Sequence, residues 1–133
     1  MKKILSIVLS LTVVFALTGC GQAKIDYGTS ELYTQDERET AIQVIKEEFN
    51  SWESCKLYSI SYTSDERCQS ELDDCNALAP EGTVYDECIV FDSRFRSPIF
   101  GNPTLAANSV YCWSWYLVRT ENGDWELLTW GAA

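Results

Sequence analysis

The period of the apolar positions changes repeatedly along the chain, and each change marks an element. Behind Met1, Lys2 and Lys3, the run from Ile4 to Leu17 is apolar apart from Ser6, Ser10 and Thr12. A basic start followed by an apolar run too short for a bilayer, which needs roughly 20 residues, is the profile of an export signal rather than of a membrane span. Residues 20–32 are polar and aperiodic, which suits a flexible tether. Thr34 followed by Glu37 then presents a capping box, and Ala41, Ile42, Ile45, Phe49 and Trp52 recur at helical spacing against a charged face of Glu39, Lys46, Glu47 and Glu53. This predicts a first helix.

After Cys55 the run from Lys56 to Thr63 alternates with period two and is rich in strand formers, predicting a strand. Between Asp65 and Ala79 the helical period returns, with Cys68, Leu72, Cys75 and Ala79 on one stripe, a capping box at Thr63-Ser64-Asp65-Glu66, and a stop at Pro80 and Gly82. Residues 84–96 read as a long strand whose apolar residues fall on both parities, so both of its faces need cover. Val110 to Arg119 forms a further strand dense in aromatics. An Asn-Gly turn signal at Asn122-Gly123 returns the chain as a hairpin into Trp125 to Trp130.

The end of the leader changes the address. Leu17-Thr18-Gly19-Cys20 resembles the lipobox of bacterial lipoproteins, in which small residues open the bond before a cysteine and the thiol takes a diacylglycerol group. Cleavage before Cys20 would leave acyl chains such as palmitate on that residue, each buried methylene contributing about 0.8 kcal/mol to the anchor. The expected organisation is therefore a signal peptide at 1–19, a lipid-anchored tether at 20–32 and one domain at 33–131. Its expected location is the outer side of the cell membrane.

The chain carries 10 basic and 20 acidic residues, and the leader removes Lys2 and Lys3 but no acid. Lys24, Arg38, Lys46, Lys56, Arg67, Arg94, Arg96 and Arg119 are scattered along the chain, which argues against a nucleic-acid partner needing a basic stripe. Histidine is absent, and no Cys-x-x-Cys spacing occurs, so neither zinc-ligand spacing nor a thiolate–imidazole pair is present. Glu71, Asp73 and Asp74 lack the loop pattern of a calcium site. No metal or other cofactor is expected. Besides Cys20 there are Cys55, Cys68, Cys75, Cys88 and Cys112, an odd number that leaves at least one thiol unpaired. Cys68 and Cys75, two helical turns apart at about 10 Å, are too distant to bridge each other. Both are expected to face the sheet, with Cys55, Cys88 or Cys112 as partners or neighbours.

A helix, a strand, a second helix and a closing antiparallel meander describe an α+β domain. The ending, Trp115-Tyr116-Leu117-Val118-Arg119, then Asn122-Gly123-Asp124-Trp125, then Gly131, resembles the last hairpin of the nuclear transport factor two-like superfamily, which has the cystatin-like fold. Tyr33 to Gly131 as a whole is similar to a group of uncharacterised lipoproteins of Gram-positive bacteria, through Trp52-Glu53-Ser54-Cys55, Leu72-Asp73-Asp74-Cys75-Asn76, Val90-Phe91-Asp92-Ser93 and Trp113-Ser114-Trp115. The resemblance implies a cone-like domain in which an N-terminal helix and a second short helix pack on a curved antiparallel sheet of about four strands. It also implies an apolar pocket between helix and sheet, which some members furnish with acids.

Asp92 is the candidate catalytic residue, because an apolar strand disfavours a carboxylate's charge, the tuning a general acid or base requires. Tyr58, Tyr62, Trp113 and Trp115 are the candidate ligand-binding residues of the same cavity. The leading reading is a non-catalytic, membrane-anchored module binding a small apolar or aromatic ligand, or a protein. An acid–base enzyme of the isomerase or cyclase type is the alternative. A sheet apolar on both faces also calls for cover, which a homodimer partner or a flat ligand would supply.

Overall fold

The computed structural model describes residues 23–133, so the leader and Cys20 lie outside the described residues. Its elements run β1 (Lys24–Asp26), α1 (Gln35–Asn50), β2 (Lys56–Tyr62), α2 (Asp65–Ala77), β3 (Glu87–Arg96), β4 (Val110–Arg119) and β5 (Glu126–Ala132). The architecture is α+β, two helices on an open sheet of five strands in the order β1-β2-β3-β4-β5. The sheet is mixed, because β1 pairs parallel with β2 while every other pairing is antiparallel. The fifth strand comes from the polar segment expected as tether: Lys24, Ile25 and Asp26 lie opposite Ser59, Ile60 and Ser61. A three-residue strand is too short for the alternation that betrays a strand in sequence; its backbone pairs with β2, and Ile25, its middle residue, packs against the core.

The capping box that starts α1 is complete, Glu37 N donating to Thr34 Oγ1 over 3.2 Å and Thr34 N to Glu37 Oε1 over 3.1 Å. Ala41, Ile42, Ile45 and Phe49 are buried along one stripe, as their spacing requires. Each large apolar side chain taken out of water contributes about 1.5–3 kcal/mol, which binds the helix to the sheet far more firmly than its propensity does. Arg38 is buried as well, donating to Tyr33 O and lying over the Tyr62 ring. For α2 the cap is Ser64, which accepts from Arg67 N; Thr63 instead sends its hydroxyl to Val90 O. The predicted box thus reduces to a single cap.

The two helices take opposite parities of the sheet. Phe49 of α1 meets Phe95 edge-on, on the side shared by Phe91, Ser93, Trp113 and Trp115, whereas α2 brings Cys75 to Cys88 and Arg67 to Ser114 and Tyr116. That division explains why β3 is apolar on both parities at Cys88, Ile89, Val90 and Phe91, all buried. Beyond them the outer positions turn polar, with Asp92, Arg94 and Arg96 beside Ser59, Ser61 and Ser114. On β3 the outer face is thus apolar where α2 covers it and polar beyond that.

Ten-residue β3 outruns seven-residue β2, leaving a stretch of edge that other groups satisfy. Thr63 N bonds Val90 O, Val90 N donates to Cys68 Sγ over 3.3 Å, and the Tyr33 hydroxyl donates to Cys88 O over 3.0 Å. Buried backbone groups are rarely left unpaired, and here a thiol and a phenol replace the missing strand. In the β4–β5 hairpin the turn sits one residue earlier than expected: Glu121 and Asn122 both have positive φ, and Gly123 N bonds Thr120 O over 2.8 Å. Asp86 Oδ2 accepts from Glu121 N and holds that register. Among the described residues no helix is long and apolar enough to cross a membrane.

Candidate functional site

An open cleft of about 510 Å³ lies between the end of α1, the loop joining β3 to β4, and the last two strands. Trp52, Trp113 and Trp130 form its apolar wall, and Glu53, Ser54, Asn102 and Thr104 supply polar groups around it. Trp52 is fixed from two directions. Its ring stacks on Trp115 with centroids 5.3 Å apart and 26° between planes, and its Nε1 donates to Glu48 Oε2 over 3.0 Å. Trp130 stacks on Trp115 at 5.6 Å, also meets Trp52 at 5.8 Å with 51° between planes, and remains 38% exposed. Trp113 meets Trp52 nearly edge-on at 5.8 Å.

The second wall is a loop held by hydrogen bonds within itself and by Arg96 and Tyr111 of the flanking strands. Gly101 N and Asn108 N both bond Pro98 O, Asn102 N bonds Leu105 O, and Asn102 Oδ1 accepts from Thr104 N and Leu105 N. Ala106 N donates to the Tyr111 hydroxyl, and Ser97 Oγ donates to Ala106 O. Gly101 is required, since its φ is +70° and a Cβ would stand 2.8 Å from Leu105 O. Leu105 folds inward and is buried, whereas Ile99 and Phe100 at the tip are 72% and 95% exposed. On the opposite wall Ser54 has φ 61°, a conformation unusual for a side-chain-bearing residue and found disproportionately beside functional sites. Burial pushes the Cys55 thiol's pKa up, so the sulfur in this wall is held as a thiol.

The five residues expected to share one cavity are dispersed. Trp113 lines the cleft, and Trp115 lies fully buried beneath it, its Nε1 donating to Ser93 Oγ over 2.7 Å. Tyr62 is in the core against Phe91, its hydroxyl donating to Asp65, and burial drives its pKa well above the ordinary phenol range. Tyr58 stands at the register shift between Leu57 and Ser59 and accepts from Arg96 Nε over 2.8 Å, away from the cleft. Asp92 is on the outer parity of β3, half-buried, and accepts from Ser114 Oγ over 2.6 Å. It does not line the cleft. Alternation places Asp92 and the core residue Phe91 on opposite sides of the sheet.

Sequence reasoning missed Trp130, Asn102, Thr104 and the exposed pair Ile99 and Phe100. The signal was present in part: Pro98, Gly101 and Pro103 mark an irregular loop, and an apolar pair inside it has no core to enter. Glu71, weighed as a cation ligand, pairs with Arg67 at 3.2 Å.

No family model, curated protein or solved structure matches this chain.

Proposed function

We propose that the protein is a lipid-anchored, extracytoplasmic binding module that holds a small ligand with a flat apolar face between Trp52, Trp113 and Trp130. The convergence of three indoles on one open cleft carries this reading. A volume of about 510 Å³ is that of a small-molecule site, apolar surface with a few polar groups is the usual composition of one, and Asn102 and Thr104 in the lining would meet a ligand's polar edge. The stacking on Trp115 and the bond to Glu48 hold Trp52 in place before any ligand arrives, so little side-chain freedom is lost on binding. Exposed Ile99 and Phe100 beside the cleft extend the apolar surface a ligand would cover.

The acid–base alternative gains nothing from this geometry, since Asp92 is not on the cleft wall and the carboxylate that is, Glu53, is exposed to solvent. The succession α1, β2, α2, β3, β4, β5 supports the nuclear transport factor two-like reading of the fold. The anchor rests on Leu17-Thr18-Gly19-Cys20. With β1 starting at Lys24, the chain from Cys20 reaches at most about 14 Å, which would hold the domain close against the headgroups.

Titration with indole, N-acetylglucosamine and short aromatic peptides, read by tryptophan fluorescence and by the indole NH signals, tests the cleft. At least one probe should saturate and shift the Trp113 and Trp130 signals, and Trp130→Ala should weaken it at least tenfold; shifts confined to other residues, or none, would contradict the reading. For the anchor, Cys20→Ser should release the protein from the membrane fraction, and unchanged retention would contradict lipidation.

A further inference from the structure

Five cysteines of the described chain differ sharply in what surrounds their sulfurs. Cys68 is fully used as a thiol: its Sγ accepts from Val90 N over 3.3 Å and donates to the Tyr62 hydroxyl over 3.5 Å. Cys55 lies in the cleft wall and Cys112 is exposed on the outer side of β4, with no other sulfur in contact with either. Cys75 and Cys88 are different. Each is 2% exposed, and their Sγ atoms are 3.1 Å apart, each the other's polar partner. That approach is too close for two sulfurs with only packing between them, and it brings α2 and β3 together at sites whose backbones are each fixed by regular structure.

We infer that Cys75 and Cys88 are joined by a disulfide bond in the exported protein. Each thiol gives up its proton, the two sulfurs together give up two electrons, and one S–S bond forms. A disulfide-bearing oxidant accepts the pair and its own S–S bond opens to two thiols. Because both sulfurs are buried, exchange occurs before α2 has closed over the sheet. Compartments outside the cytoplasm let such a bond persist, and the odd cysteine count resolves into one bridge and three thiols.

The position has a structural reason. Between α2 and β3 the chain runs through Pro80 and Gly82 with Leu78 and Val84 exposed, and what holds it is Asn76, whose Nδ2 bonds Tyr85 O and whose Oδ1 accepts from Tyr85 N over 2.7 Å. A bridge one residue before Asn76 and three after Tyr85 closes the same loop covalently, removing freedom from the unfolded chain.

The test uses the full chain, unfolded, reduced, and refolded in mixed reduced and oxidised glutathione. It is then alkylated in denaturant without further reduction and cut with trypsin and a glutamate-specific protease. Leu72–Glu81 should be recovered linked to Cys88–Arg94, with alkyl groups on Cys55, Cys68 and Cys112. Alkylation of both Cys75 and Cys88, or a link from either to a different cysteine, would overturn the assignment. This result stands apart from the cleft, and neither outcome bears on ligand binding.

Discussion

Trp52, just beyond the end of α1, lies stacked on Trp115 of β4 with 5.3 Å between ring centroids. One ring of the pair is sealed in the core and the other faces the cleft, so a single contact joins the stability of the domain to the shape of its site. Burial and exposure of neighbouring indoles should therefore separate folding from binding. Trp115→Ala is expected to cost about 3–5 kcal/mol, as for other fully buried large side chains, whereas Trp130→Ala, at a partly exposed site, is expected to cost less than about 1 kcal/mol. Urea unfolding of the two variants measures both.

Gly101 sets the opposite wall. Alanine there must adopt a left-handed conformation and press its Cβ on Leu105 O, at a cost of about 1–3 kcal/mol. The loop is expected to shift rather than the core, so Gly101→Ala should weaken ligand binding by more than its loss in thermal stability suggests. Calorimetric titration alongside a melting curve checks this.

How much of this was legible in the sequence depends on the range of the forces involved. Both helices, and the four longer strands, follow from local periodicity and capping, because Thr34, Ser64 and the stripe from Ala41 to Phe49 act within a few residues of themselves. Strand β1 was not legible, since Lys24 to Asp26 is held by backbone bonds to a strand over thirty residues away. The cleft was half legible. Trp113 announced itself in an aromatic strand, but its meeting with Trp52, Trp130 and the 97–109 loop is a product of tertiary packing alone. The side on which Asp92 lies was not legible, because an apolar strand covered on both sides hides which parity is which until the helices are placed.

Asp65 ties the start of the domain to α2. Its carboxylate accepts from Ser30 Oγ, Glu31 N, Leu32 N and the Tyr62 hydroxyl. Burial works to raise its pKa, and these bonds together outweigh that and hold it down to about 2. A depressed carboxylate contributes stability above its unfolded value of 3.8, and that contribution is lost as pH falls from there through about 2. Stability should accordingly decline over that window, and in Asp65→Asn the decline should be shallower, from a starting point about 1–3 kcal/mol lower. Denaturation midpoints between pH 5 and pH 2 would show the difference, flagged by roughly a one-unit spacing of measurements.

Arg119 bridges α1 and β3. It pairs with Glu87 and, at 2.5 Å, with Glu37, and its guanidinium lies 4.2 Å from the Trp125 ring centroid. Its side chain is 8% exposed, but Glu37 and Glu87 are 30% and 33% exposed, so water can reach them when the cation is gone. Arg119→Met should cost about 2–3 kcal/mol, below the 3–5 of a fully buried pair. Arg119→Lys should recover only part of that, because an ammonium cannot present two fixed donors while lying flat on an indole. Chemical denaturation of both variants orders them.

Crystals of the protein soaked with a library of small aromatic and sugar-like fragments would examine the cleft with the fewest intermediaries. Fragments are expected to gather between Trp52, Trp113 and Trp130, with polar atoms directed at Asn102 or Thr104. An empty cleft, with fragments collected instead on the outer face around Asp92, Arg94 and Arg96, would contradict the binding role assigned to the tryptophans.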